Sequence, residues 1–491
     1  MPVTPYCNNL FQSRRDLYQF LSACKEKIVT SKDSRIISIS LEIDPVDPLV
    51  IYHRFAQSQQ LNFYVEKRES NKITNLNGNG HNRTQFLSGL VGIAAIDSVV
   101  SAHLEGGDRF DSAKQFMQST LSQTVILGAL NRPLAGPHFF CGFSFFDHNS
   151  ESQKSFSAAT IFLPKWQISC EENCSIVVIN LLINSELDLA STIDDIWQTV
   201  EAIRSTRYNL ISPEVHNQDF LTIQHVNDTG HFKQAVRSAL QSIHSGFLDK
   251  IVLAHAVDID SPLPFQPVYS LHNLRRLYPD CYIFAVSNGR GQYFLGASPE
   301  RLVSLRDRHL ITDALAGSAP RGKTTCEDAH LANSLLNSAK EMHEHRVVLE
   351  FITQQLRQLG LSPQPFPLRL RQLSNIQHLQ TPIQALVPAH IHLLDAIAEL
   401  HPTPAVAGVP RDVACALIRQ YEGFERSLYA APIGWVDYQG NGEFAVGIRS
   451  ALIDGCHARL FAGAGIVAGS DPNRELAEVQ LKLQALLAAL V

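Results

Sequence analysis

The chain has no apolar stretch long enough to cross a bilayer. The longest, FLSGLVGIAAIDSVV (86–100), is interrupted by Ser and Asp, whereas a helical span needs about 20 consecutive apolar residues. No membrane segment is expected. A surplus of basic charge is also absent: Lys and Arg number 41 against 47 Asp and Glu, a net charge of −6, which gives no reason to expect nucleic acid or an anionic membrane as partner. The opening MPVTPYCNNLFQSRRDLYQF lacks the apolar core of a secretory signal. Paired cysteine clusters are missing too. Nine cysteines (Cys7, Cys24, Cys141, Cys170, Cys174, Cys281, Cys326, Cys415 and Cys456) are scattered, and the close pair Cys170 and Cys174 has no second pair to complete a zinc site. Free thiols in a reducing compartment are expected, the cytoplasm first and an organellar stroma as the alternative.

What is present is an ordinary enzyme composition, 45% apolar and 18% charged over 491 residues, enough for two or three domains or one large α/β body. From residue 1 to about 210, runs such as RIISISLEI, LNFYVEK, HFFCGFSFF and SIVVINLLI are strand-like, with amphipathic helices at 13–27 and 188–206. The Asn- and Gly-rich segment 68–85 reads as an exposed, mobile loop. The second part, 220–491, begins with a helix at 231–250, whose apolar stripe is Phe232, Val236, Ala239, Leu240, Ile243 and Phe247. Strands follow at 251–259, 281–287, 292–298, 301–305 and 309–317, then a helix over 332–359. Further strands at 429–438, 442–453 and 457–469 precede a last helix at 471–490. Strands in runs, rather than alternating with helices, predict antiparallel sheets with helices outside.

The segment SAKEMHEH (338–345) resembles a metal motif at first sight. On a helix His343 and His345 are about 200° apart and cannot chelate one ion. H-E-x-x-H fails as well, because Val347 stands where its second His would be. Glu341, Glu344 and His345 share one face at i, i+3 and i+4, and two carboxylates there suit a hard cation. A solvated Glu/Lys/His face explains this segment as economically. In the last helix Glu475 and Glu478 repeat the spacing, so two helices can offer two carboxylates each to one site, in keeping with Mg²⁺ rather than Zn²⁺.

ALAGSAPRG (314–322) and FAGAGIVAGSDP (461–472) end strands in small residues. Such backbone lets a flat ligand approach and offers N–H groups to carboxylates, though tight turns are the plainer explanation of either alone. Arg449 is a candidate carboxylate clamp or a surface ion pair. Lys250 is a candidate base or a solvated helix-end lysine. Glu300 is a candidate acid or a loop carboxylate.

DKIVLAH (249–255), FLGASPERL (294–302), ALAGSAPRG, SAKEMHEH, HPTPAVAGVPR (401–411), YAAPIGW (429–435), GEFAVGIRSALI (442–453), AGAGIVAGSDP (462–472) and ELAEVQLK (475–482) occur in an order that resembles the chorismate-utilising enzymes, most closely their isochorismate-forming branch. The resemblance implies one large α+β (α/β) fold in which two antiparallel sheets pack as a sandwich with helices outside. It implies Mg²⁺ held directly by Glu344 and Glu478 and through water by Glu341 and Glu475. Substrate carboxylates would meet Gly317, Ser318, Gly463, Ala464 and Gly465, with Tyr429 and Arg449 as side-chain clamp and His401 and Lys482 also in the site. Lys250 would be the general base and Glu300 the general acid, and their pKa values must then move toward each other. Ala316 stands where aminodeoxychorismate synthases carry a nucleophilic Lys, and Lys250 where anthranilate synthases usually have Gln, so water is the implied nucleophile. Salicylate synthase is the nearest alternative. Anthranilate synthase or a non-catalytic chorismate-binding protein would follow. No glutamine amidotransferase partner is implied, and monomer and homodimer are both compatible. Two departures, His255 where the family often has Arg and Cys141 where it often has Gly, bear on local packing.

Overall fold

The computed structural model describes residues 13–31, 34–71, 87–148, 155–171, 174–206, 221–226, 228–373 and 376–490. Most of the expected 68–85 loop lies outside them. Residues 68–71 instead extend the Asn62–Asn71 strand, paired with 87–90 of the Leu87–Leu104 strand.

Among the described residues, twenty-one strands are joined by hydrogen bonds into one sheet, antiparallel but for the parallel pair Arg35–Ile43 and Thr124–Gly128. From Lys250–Asp260 the pairing passes to His457–Val467, Ser450–Asp454, Gln292–Ser298 and Tyr282–Ser287. It then enters the N-terminal part through Asn62–Asn71, Leu87–Leu104, Ala159–Glu171 and His138–Phe143. It returns through Pro432–Asp437, Gly442–Val446 and Arg301–Arg306 to His309–Pro320 and Ile376–Leu386. Pairing thus runs through every strand and does not by itself divide them into the two expected sheets. The core is built along this ribbon from fully buried aromatics, Phe63 against Phe140 and Phe140 against Phe162, each burial stabilising by roughly 1.5–3 kcal/mol.

Three elements differ from the sequence pattern in ways that matter. The helix expected over 231–250 spans Thr229–His244 and stops at Ser245, with Gly246 at φ 77°. Phe247, counted in its stripe, is 69% exposed; the left-handed glycine turns the chain so that Lys250 begins a strand. The helix expected over 332–359 is two, Thr325–Asn337 and Ala339–Gln358. Ser338 separates them, its hydroxyl accepting from the Glu341 N–H, which places Glu341 in the first turn of a new helix. GEFAVGIRSALI is likewise two strands, Gly442–Val446 and Ser450–Asp454. The break at 447–449 holds Arg449 at φ 52°, a conformation a non-glycine residue keeps only when its surroundings enforce it.

Candidate active site

The two ends of the ribbon meet around a cavity of about 140 Å³. Val252, Gly463 and Gly465 line it from one end, Gly317, Ser318 and His378 from the other. The Ala339–Gln358 and Pro472–Leu490 helices supply Glu341, Glu344, Glu475 and Glu478 to the same cavity. The i, i+3 spacing thus does bring both acidic pairs together. The histidines part company: His345 is buried with Nε2 2.8 Å from Thr381 Oγ1, while His343 is exposed beside Arg346.

Three lysines answer four carboxylates. Lys250 Nζ is 2.7 Å from Glu344 Oε1. Lys340 Nζ lies 3.3 Å from Glu475 Oε1 and 3.8 Å from Glu341 Oε1. Lys482 donates to Glu478 Oε1 at 2.7 Å and to the Gly463 carbonyl at 2.9 Å. Burial, then the like charge of Glu344, pushes the Glu341 carboxyl up, and burial does the same to Glu475. Burial also acts upward on Glu478, but the charge and hydrogen bond of Lys482 together with the charge of Lys340 outweigh it and the net direction is down. Among the described residues no group of three or more His, Cys, Asp or Glu is gathered tightly enough to hold an ion as it stands. The chemistry of the donors, four carboxylates facing one cavity and partly repelling one another, nevertheless fits a hard dication.

Glu300, 6% exposed, also lines the cavity. Burial pushes its carboxyl from 4.5 up to about 7, helped by Asp313 and opposed by Lys250. Lys250 itself is 1% exposed. Tyr429 is buried against Phe461, ring centroids 5.1 Å apart. A side chain at Gly463 would meet the Tyr429 hydroxyl at 2.9 Å, so the missing Cβ is what leaves room for the phenol. Gly317, at φ 76°, forms a bulge between the pairs Ala316–Leu379 and Ser318–His378. The Ser318 N–H consequently donates to Glu341 Oε2 at 3.1 Å.

Three expected residues are not among those that line the cavity with their side chains: Lys250, which pairs with the cavity's Glu344, and His401 and Ala464. His401 is turned away: Nε2 lies 3.1 Å from the Phe145 carbonyl, the ring packs on Phe110 and Phe145, and burial lowers its pKa to about 3. The same segment contributes Ala405 and Val406 to the wall instead. Ala464 has its side chain on the opposite face of the strand from Gly463 and Gly465, as strand alternation requires.

Two titratable cavity residues, Lys340 and His378, had no assigned role in the sequence. Lys340 looked like part of a solvated face. His378 sits in a strand with no distinguishing motif, and only its register opposite Ser318 carries it in. Burial, then Arg449, pushes its pKa well down, so the neutral ring can accept from Arg449 Nη2 at 3.3 Å. Arg449 Nη1 is buried without a partner.

Gly465 provides a test. An added Cβ would lie 2.7 Å from Glu344 Oε1 and 3.3 Å from Lys250 Cε. The carboxylate is the end of a flexible side chain and can move, so Gly465→Ala should keep the fold within about 1 kcal/mol by thermal melting. Turnover should fall by about 10- to 100-fold, because the Glu344–Lys250 geometry is disturbed.

Among the described residues no helix is long and apolar enough to cross a membrane. The chorismate binding enzyme family matches residues 19–491. The chain is 33% identical over 460 residues to the salicylate biosynthesis isochorismate synthase of Pseudomonas aeruginosa, covering 93% of this chain and 90% of that protein. It is 30% identical over 469 residues to the isochorismate synthase MenF of Bacillus subtilis, covering 93% of each. The solved structure of the menaquinone-specific isochorismate synthase MenF from Escherichia coli superposes with a TM-score of 0.73 at 26% identity, covering 96% of this chain and all of that one. With a match through nearly its whole length, the chain belongs to the chorismate binding enzyme family.

Proposed function

We propose that this protein is an isochorismate synthase, an isomerase that converts chorismate to isochorismate reversibly. The observation that carries the reading is a buried carboxyl, pushed up to about 7, in one cavity with four carboxylates, one of which, Glu344, is paired with a buried lysine. Lys250 takes a proton from water as its oxygen bonds to C2 of the ring. The ring double bonds shift, the C4–oxygen bond breaks, and Glu300 protonates the departing hydroxide to water. One hydroxyl enters and one leaves, so substrate and product are isomers, and the protons on Lys250 and Glu300 re-equilibrate with solvent.

Backbone N–H groups at Gly317–Ser318 and Gly463–Gly465 are the proposed receptors for substrate carboxylates, the Ser318 N–H exchanging Glu341 for substrate, with Tyr429 and Arg449 clamping the enolpyruvyl carboxylate. The free Nη1 of Arg449 supports that role. Lys482 holds the neighbouring carbonyl of Gly463. Glu344 and Glu478 would hold Mg²⁺ directly and Glu341 and Glu475 through water. The ion, when bound, supplies positive charge to anchor the ring carboxylate. We also read the continuous sheet as folded into two layers that close on the cavity, since strands from both of its ends line it.

Purified protein incubated with chorismate and Mg²⁺ should yield isochorismate without pyruvate, resolved by chromatography. Salicylate with pyruvate would replace this reading by salicylate synthase, anthranilate formed only with ammonium would overturn the base assignment, and binding without turnover would make the chain a scaffold. Chelation should abolish product formation, and Mg²⁺ but not Zn²⁺ should restore it; turnover unchanged by chelator would remove the metal from the proposal.

A further inference from the structure

Behind the cavity lies an ion pair that the chemistry above does not use. Arg426 is fully buried and Glu422 nearly so. Arg426 Nε donates to Glu422 Oε2 at 2.8 Å while Nη2 reaches Oε1, a two-pronged fork. Removing both charges from water offsets much of their attraction, so stability alone is a poor reason to keep them there.

The remaining polar atoms of the pair show another use. The Lys250–Asp260 strand is paired on one side by His457–Val467 along its length. On its other side, among the described residues, it pairs with Gly408–Val409 at Lys250 and Ile251 and with Thr222–His225 from Val257 to Asp260. Single backbone bonds from the Val252 N–H to the Ala407 carbonyl and from the Val226 N–H to the Ala256 carbonyl narrow the gap to Val252–Ala256. The gap between these neighbours is where the ion pair binds. Arg426 Nη2 donates to the Val252 carbonyl at 2.9 Å, and the Ala254 N–H donates to Glu422 Oε1 at 2.7 Å. Arg426 Nη1 donates to the Val406 carbonyl at 2.8 Å. The guanidinium lies 4.3 Å from the Phe145 ring centroid and 5.7 Å from that of Tyr429, whose N–H donates to the Arg426 carbonyl at 2.8 Å. Val252, Val406 and Tyr429 all line the cavity.

We infer that Glu422 and Arg426 are positioning residues for the reaction: the pair replaces a missing stretch of neighbouring strand and locks three walls of the cavity into register. Those walls are the strand that begins with Lys250, the 401–408 segment and the turn bearing Tyr429. Neither side chain touches substrate. Their effect is to hold the lysine and the phenol where the reacting atoms need them. This rests on the isochorismate-forming reading of the cavity.

The test compares wild type, Arg426→Lys and Glu422→Gln. Lysine keeps the charge but cannot span the carboxylate and two carbonyls at once. Measured on folded protein, kcat for Arg426→Lys should fall by about 100-fold with KM changed by less than about fivefold. Amide exchange should accelerate at 252–256 and 403–407 and stay at the wild-type rate elsewhere. Glu422→Gln keeps shape and an acceptor for Ala254, so it tests the pair even where Arg426→Lys does not fold, and it should lose about tenfold in kcat with the same local exchange pattern. Wild-type kcat in a folded variant, or a uniform rise in exchange with unchanged kcat per folded molecule, would reduce the pair to a structural element and overturn the inference. A wild-type protein that makes no isochorismate would instead sink the functional reading, while the exchange pattern still reports on the clamp.

Discussion

Lys250→Ala should lower kcat by about 10²- to 10⁴-fold, the contribution of a positioned general base, and leave the protein folded. The ammonium is 1% exposed and paired with Glu344, whose side chain keeps 13% exposure. Removing one partner of a buried pair costs about 3–5 kcal/mol, so the variant should melt below wild type, and the fold survives because Glu344 faces the cavity and can take up water there. Lys250→Arg separates proton transfer from charge. Arginine keeps a cation beside Glu344 but does not deprotonate near neutral pH, so this variant should be as inactive as the alanine while binding chorismate comparably. Single-turnover kinetics with isothermal titration would check both, and a Lys250→Arg enzyme with substantial turnover would show that the position supplies charge and not a base.

The acidic pairs were legible because their information is local. A helical period and an i, i+3 spacing set which side chains share a face, and Glu341, Glu344, Glu475 and Glu478 do line one cavity. Glycines were legible for a similar reason: Gly317 and Gly465 stand where a Cβ would meet Glu341 or Glu344. What escaped depends on contacts distant in sequence. His378 enters through the register of one strand opposite Ser318. His401 lies in a motif of the family resemblance yet turns to the Phe145 carbonyl, because an apolar wall of Phe110 and Phe145 surrounds it. The strand break before Ser450 lay inside a run that reads as one strand, although Gly447 and Arg449 marked the place. At Gly447 a Cβ would come within 2.6 Å of the Leu428 carbonyl, so the constraint is a tertiary contact. The single ribbon of strands was the least legible feature, since its path leaves the catalytic half, crosses the N-terminal strands and comes back.

Glu300→Gln should lose about 10²- to 10⁴-fold in turnover and gain stability, and the two effects have one cause. In the wild type, burial holds the carboxyl at about 7 in place of 4.5. At pH 7 about half of the molecules therefore carry the proton that the leaving hydroxide needs, against about 0.3% for an ordinary carboxyl. The acid form disappears as pH rises, so kcat/KM, which follows the free enzyme, should fall through about 7 and approach a tenfold loss per unit above it. Glutamine has no proton to give, and that alkaline limb should vanish along with the activity. The stability effect follows from the same shift. Below about 4.5 the carboxyl is neutral in both folded and unfolded chains. Between 4.5 and 7 the unfolded chain releases the proton and the folded one retains it, so the wild type loses stability as pH rises through this window and levels off above it. The full loss is on the order of 3 kcal/mol. The neutral amide escapes it, so Glu300→Gln should melt at a higher temperature than wild type at pH 8 and at nearly the same temperature at pH 4. Equal melting differences at both pH values would mean that Glu300 titrates like a solvated carboxylate, and its place as the acid would fall with that result.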